Sequence, residues 1–248
     1  EAGLRTYNLY SPFPEEFNRQ AVDLIARFYF APTELSRQNL LKEGKPAEHI
    51  FVTGNTVIDA LDTTVRSDYT HPEIEWARGS RLILLTAHRR ENLGEPMREM
   101  FRAIRRIVDE TPDIKVIYPM HKNPAVREMA RACFGGQERI HMIEPLDVLD
   151  FHNVMAHAYL IMTDSGGIQE EAPALGKPVL VMRDTTERPE GVVAGTLKLV
   201  GTDENTIYAA VRELLTDPAA YHEMEHAVNP YGDGHASRYI ADILAREL

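Results

Sequence analysis

The stretch that most limits what this chain can fold into is residues 159–173, Tyr-Leu-Ile-Met-Thr-Asp-Ser-Gly-Gly-Ile-Gln-Glu-Glu-Ala-Pro. Its first four residues form a short apolar run, the pattern of a strand buried on both faces of a parallel sheet. The chemistry then changes within two residues. Asp164 and Ser165 are types that cap helix N-termini, and Gly166 and Gly167 remove side chains where the chain turns. Ile168, Gln169, Glu170 and Glu171 read as the acid-rich first turn of a helix, placed at the positive end of its dipole. A strand, a glycine turn and a helix N-terminus together make an anion site, because free N–H groups face outward and no Cβ blocks the approach. Ser165 is read as a cap and a phosphate donor. Gly pairs also serve ordinary βα turns, so this loop alone leaves both meanings open.

A second polar loop, residues 183–190 (Arg-Asp-Thr-Thr-Glu-Arg-Pro-Glu), follows the apolar run Pro178, Val179, Leu180, Val181, Met182. Ligands of open α/β sheets lie beyond the carboxyl ends of strands, and an Arg there can grip a pyrophosphate with its planar fork. Two further loops follow apolar runs in the same way. One holds His88, Arg89, Arg90, Glu91 and Asn92, and the other His121, Lys122 and Asn123. All four are expected to open on one sheet edge. His88 with two adjacent arginines makes an electropositive patch, whereas a lone His such as His121 is more often structural.

Apolar runs alternate with helix-period segments along the whole chain. Met97, Met100, Phe101, Ile104 and Ile107 show the helical spacing most clearly. The pattern predicts α/β architecture with parallel strands and right-handed crossovers, in two Rossmann-like units. Residues 67–80 are polar and without clear period, and are read as a connection. The 248 residues suffice for one large or two small domains. A net charge of −11 argues against a general nucleic-acid binder but not against a small anionic ligand in a locally positive pocket. The single cysteine, Cys133, rules out a disulfide framework and fits a reducing compartment. No apolar run is long enough for a membrane-spanning helix, and no secretory signal is apparent. Neither the P-loop nor the Gly-x-Gly-x-x-Gly fingerprint is present, and Ser165 lacks the surroundings of a hydrolase nucleophile. No metal site is expected. Glu1 and Glu15 fall where loops of the first unit would face the second, and a carboxylate in such a cleft can act as general acid or base. A solvated glutamate is the commoner meaning of such positions.

Several long segments carry a resemblance. They are Glu1-Ala-Gly-Leu-Arg-Thr6, Ser11-Pro-Phe-Pro-Glu-Glu16, Thr53-Gly-Asn-Thr-Val-Ile-Asp-Ala60, Thr86-Ala-His-Arg-Arg-Glu-Asn92, residues 163–173, residues 183–190 and Asn229-Pro-Tyr-Gly-Asp-Gly234. In this order they closely resemble the bacterial non-hydrolysing UDP-N-acetylglucosamine 2-epimerases. The resemblance implies a glycosyltransferase-B-like fold of two Rossmann-like domains, the first incomplete in this chain. It implies residues 1–54 as the end of the first domain, 55–233 as the UDP-binding domain, and 234–248 as a terminal helix returning to the first. The family's amino-terminal part, with its Gly-Thr-Arg-Pro-Glu motif and a catalytic Asp, has no counterpart here. Carried over by position, Ser165, Gly166 and Gly167 would hold the diphosphate, Glu171 the ribose hydroxyls, Arg188 the phosphates, and Phe151 would lie against uracil. Glu1, Glu15 and His88 match catalytic positions, and Arg89 and His121 a second, activating UDP-GlcNAc pocket. The implied reaction converts UDP-GlcNAc to UDP-ManNAc through loss and re-addition of UDP. It needs no cofactor and no metal, and is carried out by a cytoplasmic homodimer without nucleic-acid or membrane partners. A glycosyltransferase of the same fold, a hydrolysing epimerase, and a nucleotide-binding half without turnover are the alternatives.

Overall fold

A computed structural model describes residues 1–10 and 12–248; Ser11, part of one resemblance motif, lies outside the described residues. The first unit holds α1 (Glu15–Val22), β1 (Tyr29–Ala31), α2 (Glu34–Lys42) and β2 (Ile50–Val52), with β1 and β2 paired in parallel. The chain continues through α3 (Thr56–Thr64), α4 (Pro72–Ala77), β3 (Arg81–Thr86), α5 (Glu95–Glu110), β4 (Ile114–Pro119), α6 (Pro124–Phe134) and β5 (Ile140–Ile143). Next come α7 (Val148–His157), β6 (Leu160–Thr163), α8 (Ile168–Ala174), β7 (Val179–Val181), α9 (Pro189–Ala194) and β8 (Leu197–Leu199). The chain ends with α10 (Glu204–Thr216), α11 (Pro218–Glu225) and α12 (Ala236–Glu247).

The larger sheet has six parallel strands in the order β5-β4-β3-β6-β7-β8. Strand order therefore runs outward from β3 in one direction and from β6 in the other. The two crossovers leave opposite faces at that seam, which opens a crevice at the carboxyl ends of β3 and β6. Adjacent strands there are in register through Thr86 and Thr163, whose hydroxyls hydrogen-bond at 2.6 Å. One face of the sheet is covered by α5, whose Met97, Met100, Phe101, Ile104 and Ile107 are all fully buried. Phe101 packs on Phe134 and Tyr118 with ring centroids 4.8 and 5.6 Å away. Tyr118 in turn donates its hydroxyl to the Ala87 carbonyl at 2.8 Å, so the aromatic core is tied directly to the loop after β3.

Three helices differ from the sequence expectation, one of them α9, which opens at Pro189 inside the stretch 183–190 read as a loop. Residues 67–80 are not a plain connection, because they contain α4, with Pro72 in its first turn and the His71 ring accepting from the Glu73 N–H. A two-turn helix is too short to show a period, and proline at the start was the available signal. The same holds for α11, capped by Asp217 ahead of Pro218. The terminal helix α12 packs on α3, and the Asp59 carboxylate accepts the N–H groups of Ala236 and Ser237 at its start.

The junction between the units is made of backbone. Gly54, at φ +79°, passes so close to Gly232 that a Cβ on Gly54 would meet the Gly232 Cα at 2.9 Å and the Tyr231 carbonyl oxygen at 3.0 Å. The Asn55 N–H donates to that carbonyl at 2.7 Å. Gly54→Ala is expected to destabilise the protein by about 1–3 kcal/mol, from left-handed strain together with this clash. Urea unfolding followed by circular dichroism checks it, and an unchanged midpoint would contradict the close crossing.

Candidate active site

The seam between β3 and β6 is closed by one carboxylate. Asp164 follows β6 and is fully buried. Its Oδ2 accepts the backbone N–H groups of His88 and Arg89 at 2.9 and 2.8 Å and the Asn92 side-chain amide at 3.2 Å. Its own N–H donates to the Thr86 carbonyl. The loop after β3 is thus wrapped around a residue supplied by the loop after β6. The other oxygen, Oδ1, lies 3.2 Å from His88 Nδ1. His121, from the loop after β4, stacks on His88 with centroids 5.6 Å apart and planes at 17°. Burial lowers the pKa of His88, the neighbouring Asp164 charge opposes that shift, and His121 and Arg89 reinforce it.

Gly166 and Gly167 line an open cleft of about 860 Å³ together with Ser165, His88, Arg89, Glu1 and Glu15. Among the described residues the N–H groups of Gly166, Gly167 and Ile168 have no protein acceptor. The expected helix cap differs. α8 is capped by Gly167, and no side chain bonds its N-terminus. The Ser165 N–H is turned back to the Thr163 hydroxyl at 2.9 Å, and its carbonyl accepts from the Gln169 amide. Asp164 is committed to the loop after β3 and is therefore no helix cap either. The reason is competition: three N–H groups from that loop hold Asp164 where one helix N–H would have needed it.

Behind the glycines lies Arg188, only 1% exposed. Its Nε donates to Glu170 at 2.5 Å, Nη1 to Glu187 at 2.6 Å and Nη2 to Glu1 at 2.9 Å. Three carboxylates around one guanidinium hold it charged. Burial pushes Glu187 up, but Arg188, Arg183 and Arg89 outweigh it and bring its carboxyl down to about 2. Burial likewise works to raise Glu1, and Arg188 and Arg19 hold it below the usual range. Gly166 has to be glycine here, since a Cβ would stand 2.7 Å from Glu187 Oε1 and 2.8 Å from Arg188 Nη1. Each Arg188 nitrogen already faces a carboxylate, so a phosphate over Gly166 would reach the guanidinium by exchanging with Glu1.

Of the two neighbouring glutamates that open α1, Glu16 is buried and accepts from the Thr6 and Tyr7 N–H groups, whereas Glu15 is exposed and lines the cleft. Beside the cleft is a mostly apolar slot of about 260 Å³, lined by Phe151, Pro145, Leu146, Pro119 and Ile168, with His88 and His121 at the border it shares with the cleft. Glu171 lies close to Gly167, and 3.9 Å from the His152 ring. Burial and the Glu170 charge push its carboxyl up to about 7, against the pull of Arg188.

The structure therefore brings Glu1, Glu15, His88, Arg89, His121, Ser165, Gly166, Gly167 and Arg188 to a single cleft, with Phe151 in the adjoining slot. Residues 1–245 match the family described as UDP-N-acetylglucosamine 2-epimerase. The chain belongs to that family. It is 64% identical over 244 residues to the UDP-N-acetylglucosamine 2-epimerase of Bacillus subtilis, covering 98% of this chain and 64% of the relative. The Staphylococcus aureus MnaA–UDP co-structure superposes with a TM-score of 0.97 at 54% identity, over 100% of this chain and 68% of that one. The UDP-GlcNAc-bound epimerase of Neisseria meningitidis gives a TM-score of 0.93 at 45% identity, over 99% of this chain and 68% of that one. The chain thus spans a little under two thirds of the length of its Bacillus subtilis relative. The parallel α/β architecture is that of the glycosyltransferase-B-like epimerase structures.

Sequence reasoning missed Asp164, Glu170 and Glu187 as parts of the site. Their residue types suit caps and surface turns, and only strand order shows what they face. One cluster in this epimerase-family chain was also passed over. His222 and Glu225 on α11 and His226 just past its end each bring a ligand atom within 4.8 Å of the others, and none of the three lines the cleft.

Glu171 generates a pH prediction. A carboxyl raised from 4.5 to about 7 on folding contributes stability that is present below pH 4.5 and lost as pH rises through 7. Glu171→Gln is therefore expected to be more stable than the parent at pH 8, by about 1–3 kcal/mol, and nearly equal to it at pH 4. Denaturant midpoints at the two pH values check this, and a pH-independent difference would contradict the buried placement.

Proposed function

We propose that this cleft epimerises C2 of UDP-N-acetylglucosamine, giving UDP-N-acetylmannosamine reversibly through loss and re-addition of UDP. The observation that carries the reading is the coincidence of three features at one seam. N–H groups of Gly166 and Gly167, unpaired among the described residues, offer a diphosphate cradle, an apolar slot with Phe151 adjoins it, and Glu1, Glu15 and His88 line the same space. The relatives' names, and the UDP and UDP-GlcNAc bound in two of the solved structures, support the same reading.

The chemistry explains why such a site is built around UDP. The C2 hydrogen of an intact sugar is barely acidic. Breaking the C1–O bond sends its electron pair to the diphosphate oxygen and leaves positive charge on C1, which makes the C2 proton removable. A carboxylate, Glu1 or Glu15, takes that proton and a C1=C2 glycal results. Delivery of a proton to the other face of C2, with return of the diphosphate oxygen to C1, completes inversion. The peptide N–H groups and His88 stabilise the departing diphosphate, where charge develops. Glu171, with its carboxyl raised to about 7, accepts a hydrogen bond from the ribose. Arg89 and His121, both on the cleft wall, would meet a second, activating UDP-GlcNAc, a role that follows from the family resemblance. Residues 1–54 serve as the remainder of a first domain, 55–233 as the UDP-binding domain and 234–248 as the helix that returns. The reading includes a cytoplasmic location and a homodimer, both from the family resemblance.

A proton NMR time course with UDP-GlcNAc in D2O tests the proposal. Appearance of UDP-ManNAc bearing deuterium at C2 is expected. Free UDP accumulating one-for-one with free sugar would identify a hydrolysing enzyme instead. Broadened uridine signals without product would leave a nucleotide-binding half, and an unchanged spectrum would count against the site. Arg188→Ala leaves Glu1, Glu170 and Glu187 facing one another without their cation. It is expected to weaken UDP binding at least tenfold, on the scale of about 1.5–3 kcal/mol for a charge-assisted hydrogen bond. Calorimetric titration with UDP checks it.

A further inference from the structure

We propose that Asp164 is a positioning residue for His88, holding the imidazole with Nδ1 turned inward so that Nε2 faces the diphosphate side of the cleft. The inference deepens the proposed function and rests on it for the identity of the ligand. Its structural part stands on geometry alone. Asp164 is fully buried, and its Oδ2 is already filled by three donors from residues 88, 89 and 92. Those bonds would suffice for a residue that only closed a loop. Oδ1 has no hydrogen bond among the described residues, and the nitrogen that approaches it is His88 Nδ1, at 3.2 Å and off the ideal direction. A buried carboxylate oxygen left without a donor is costly, so the Nδ1 proton is retained there. The proton on Nδ1 settles the tautomer and leaves Nε2 as the working nitrogen.

The charges around the ring define what Asp164 adds. Arg89 from the same loop and His121, stacked on the ring, disfavour the imidazolium; Glu15 from α1 and Asp164 favour it. Asp164 is the group in contact. In the imidazolium, Nε2–H donates to the phosphate oxygen that leaves C1. When UDP returns, that oxygen leaves the hydrogen bond to re-form C1–O, and no covalent bond to His88 is made at any point.

The test reads the ring itself. Imidazole 15N spectra of the 248-residue chain, with the His88 signal identified by its loss in His88→Gln, are expected to show Nδ1 protonated and Nε2 bare. Asp164→Asn is expected to lower the His88 titration midpoint by about one to two pH units, the usual effect of removing an opposite charge at this range. Saturating UDP is expected to raise the midpoint in the parent chain. An Nε2–H tautomer in the parent overturns the proposal even if the variant does not fold, and so does a midpoint unmoved by Asp164→Asn in a folded variant. If the tautomer and the variant behave as expected but UDP neither binds nor moves the midpoint, the nucleotide-sugar reading is what fails.

Discussion

The arrangement depends on one desolvated guanidinium. Arg188 gathers the buried Glu170 from α8, the buried Glu187 from its own loop and the solvent-exposed Glu1 from the first unit. Burying one cation with two carboxylates, Glu170 and Glu187, is tolerable only because every Arg188 nitrogen has a partner and Arg183 adds a second cation, 3.0 Å from Glu187. Glu170 extends the cluster. It accepts from the Asn55 amide at 2.6 Å, and its backbone carbonyl accepts from Asn229. The glycine turn, the crossing at Gly54 and the first unit are thereby held by a common set of charges. Breaking such a cluster by removing one member leaves uncompensated buried charge, which is far worse than never having built it.

A second constraint is topological. Parallel pairing places the carboxyl ends of all six strands on one edge, and the order β5-β4-β3-β6-β7-β8 puts the seam between the loops carrying His88 and Asp164. Chemistry-bearing residues 76 positions apart in sequence become hydrogen-bonded neighbours. The aromatic core beneath, through Tyr118 and Ala87, fixes the height of the His88 loop above the sheet.

Much of this was legible in the chain. The fully buried α5 face follows from its 3.6-residue spacing, and the strands after 81, 114, 140, 160 and 179 announce themselves as apolar runs. The convergence of the polar loops on one edge follows from strand–helix alternation. What the chain could not disclose was pairing. Asp164 and Ser165 look alike as caps, and only the neighbouring strand decides that Asp164 serves the loop after β3. Arg188 was legible as a cation near an anion site, but its three carboxylates come from positions 1, 170 and 187, a set no local pattern links. The short helices α4 and α11 were hidden because two turns carry no measurable period, although proline at each start was visible.

The glycine cradle has one further consequence. Its polarity belongs to peptide bonds, which neither titrate nor change when side chains are exchanged. In the proposed reading, an anion resting on Gly166 and Gly167 would be held by a field that stays constant across the physiological pH range. Sensitivity to acidity is thereby left to the groups at its border, His88 and Glu171. The 248-residue chain carries a net charge of −11, so an approaching anion is repelled at long range and, in the proposed reading, would be attracted only on arrival. Added salt screens the first effect far more than the second, so the proposed capture would become faster as ionic strength rises.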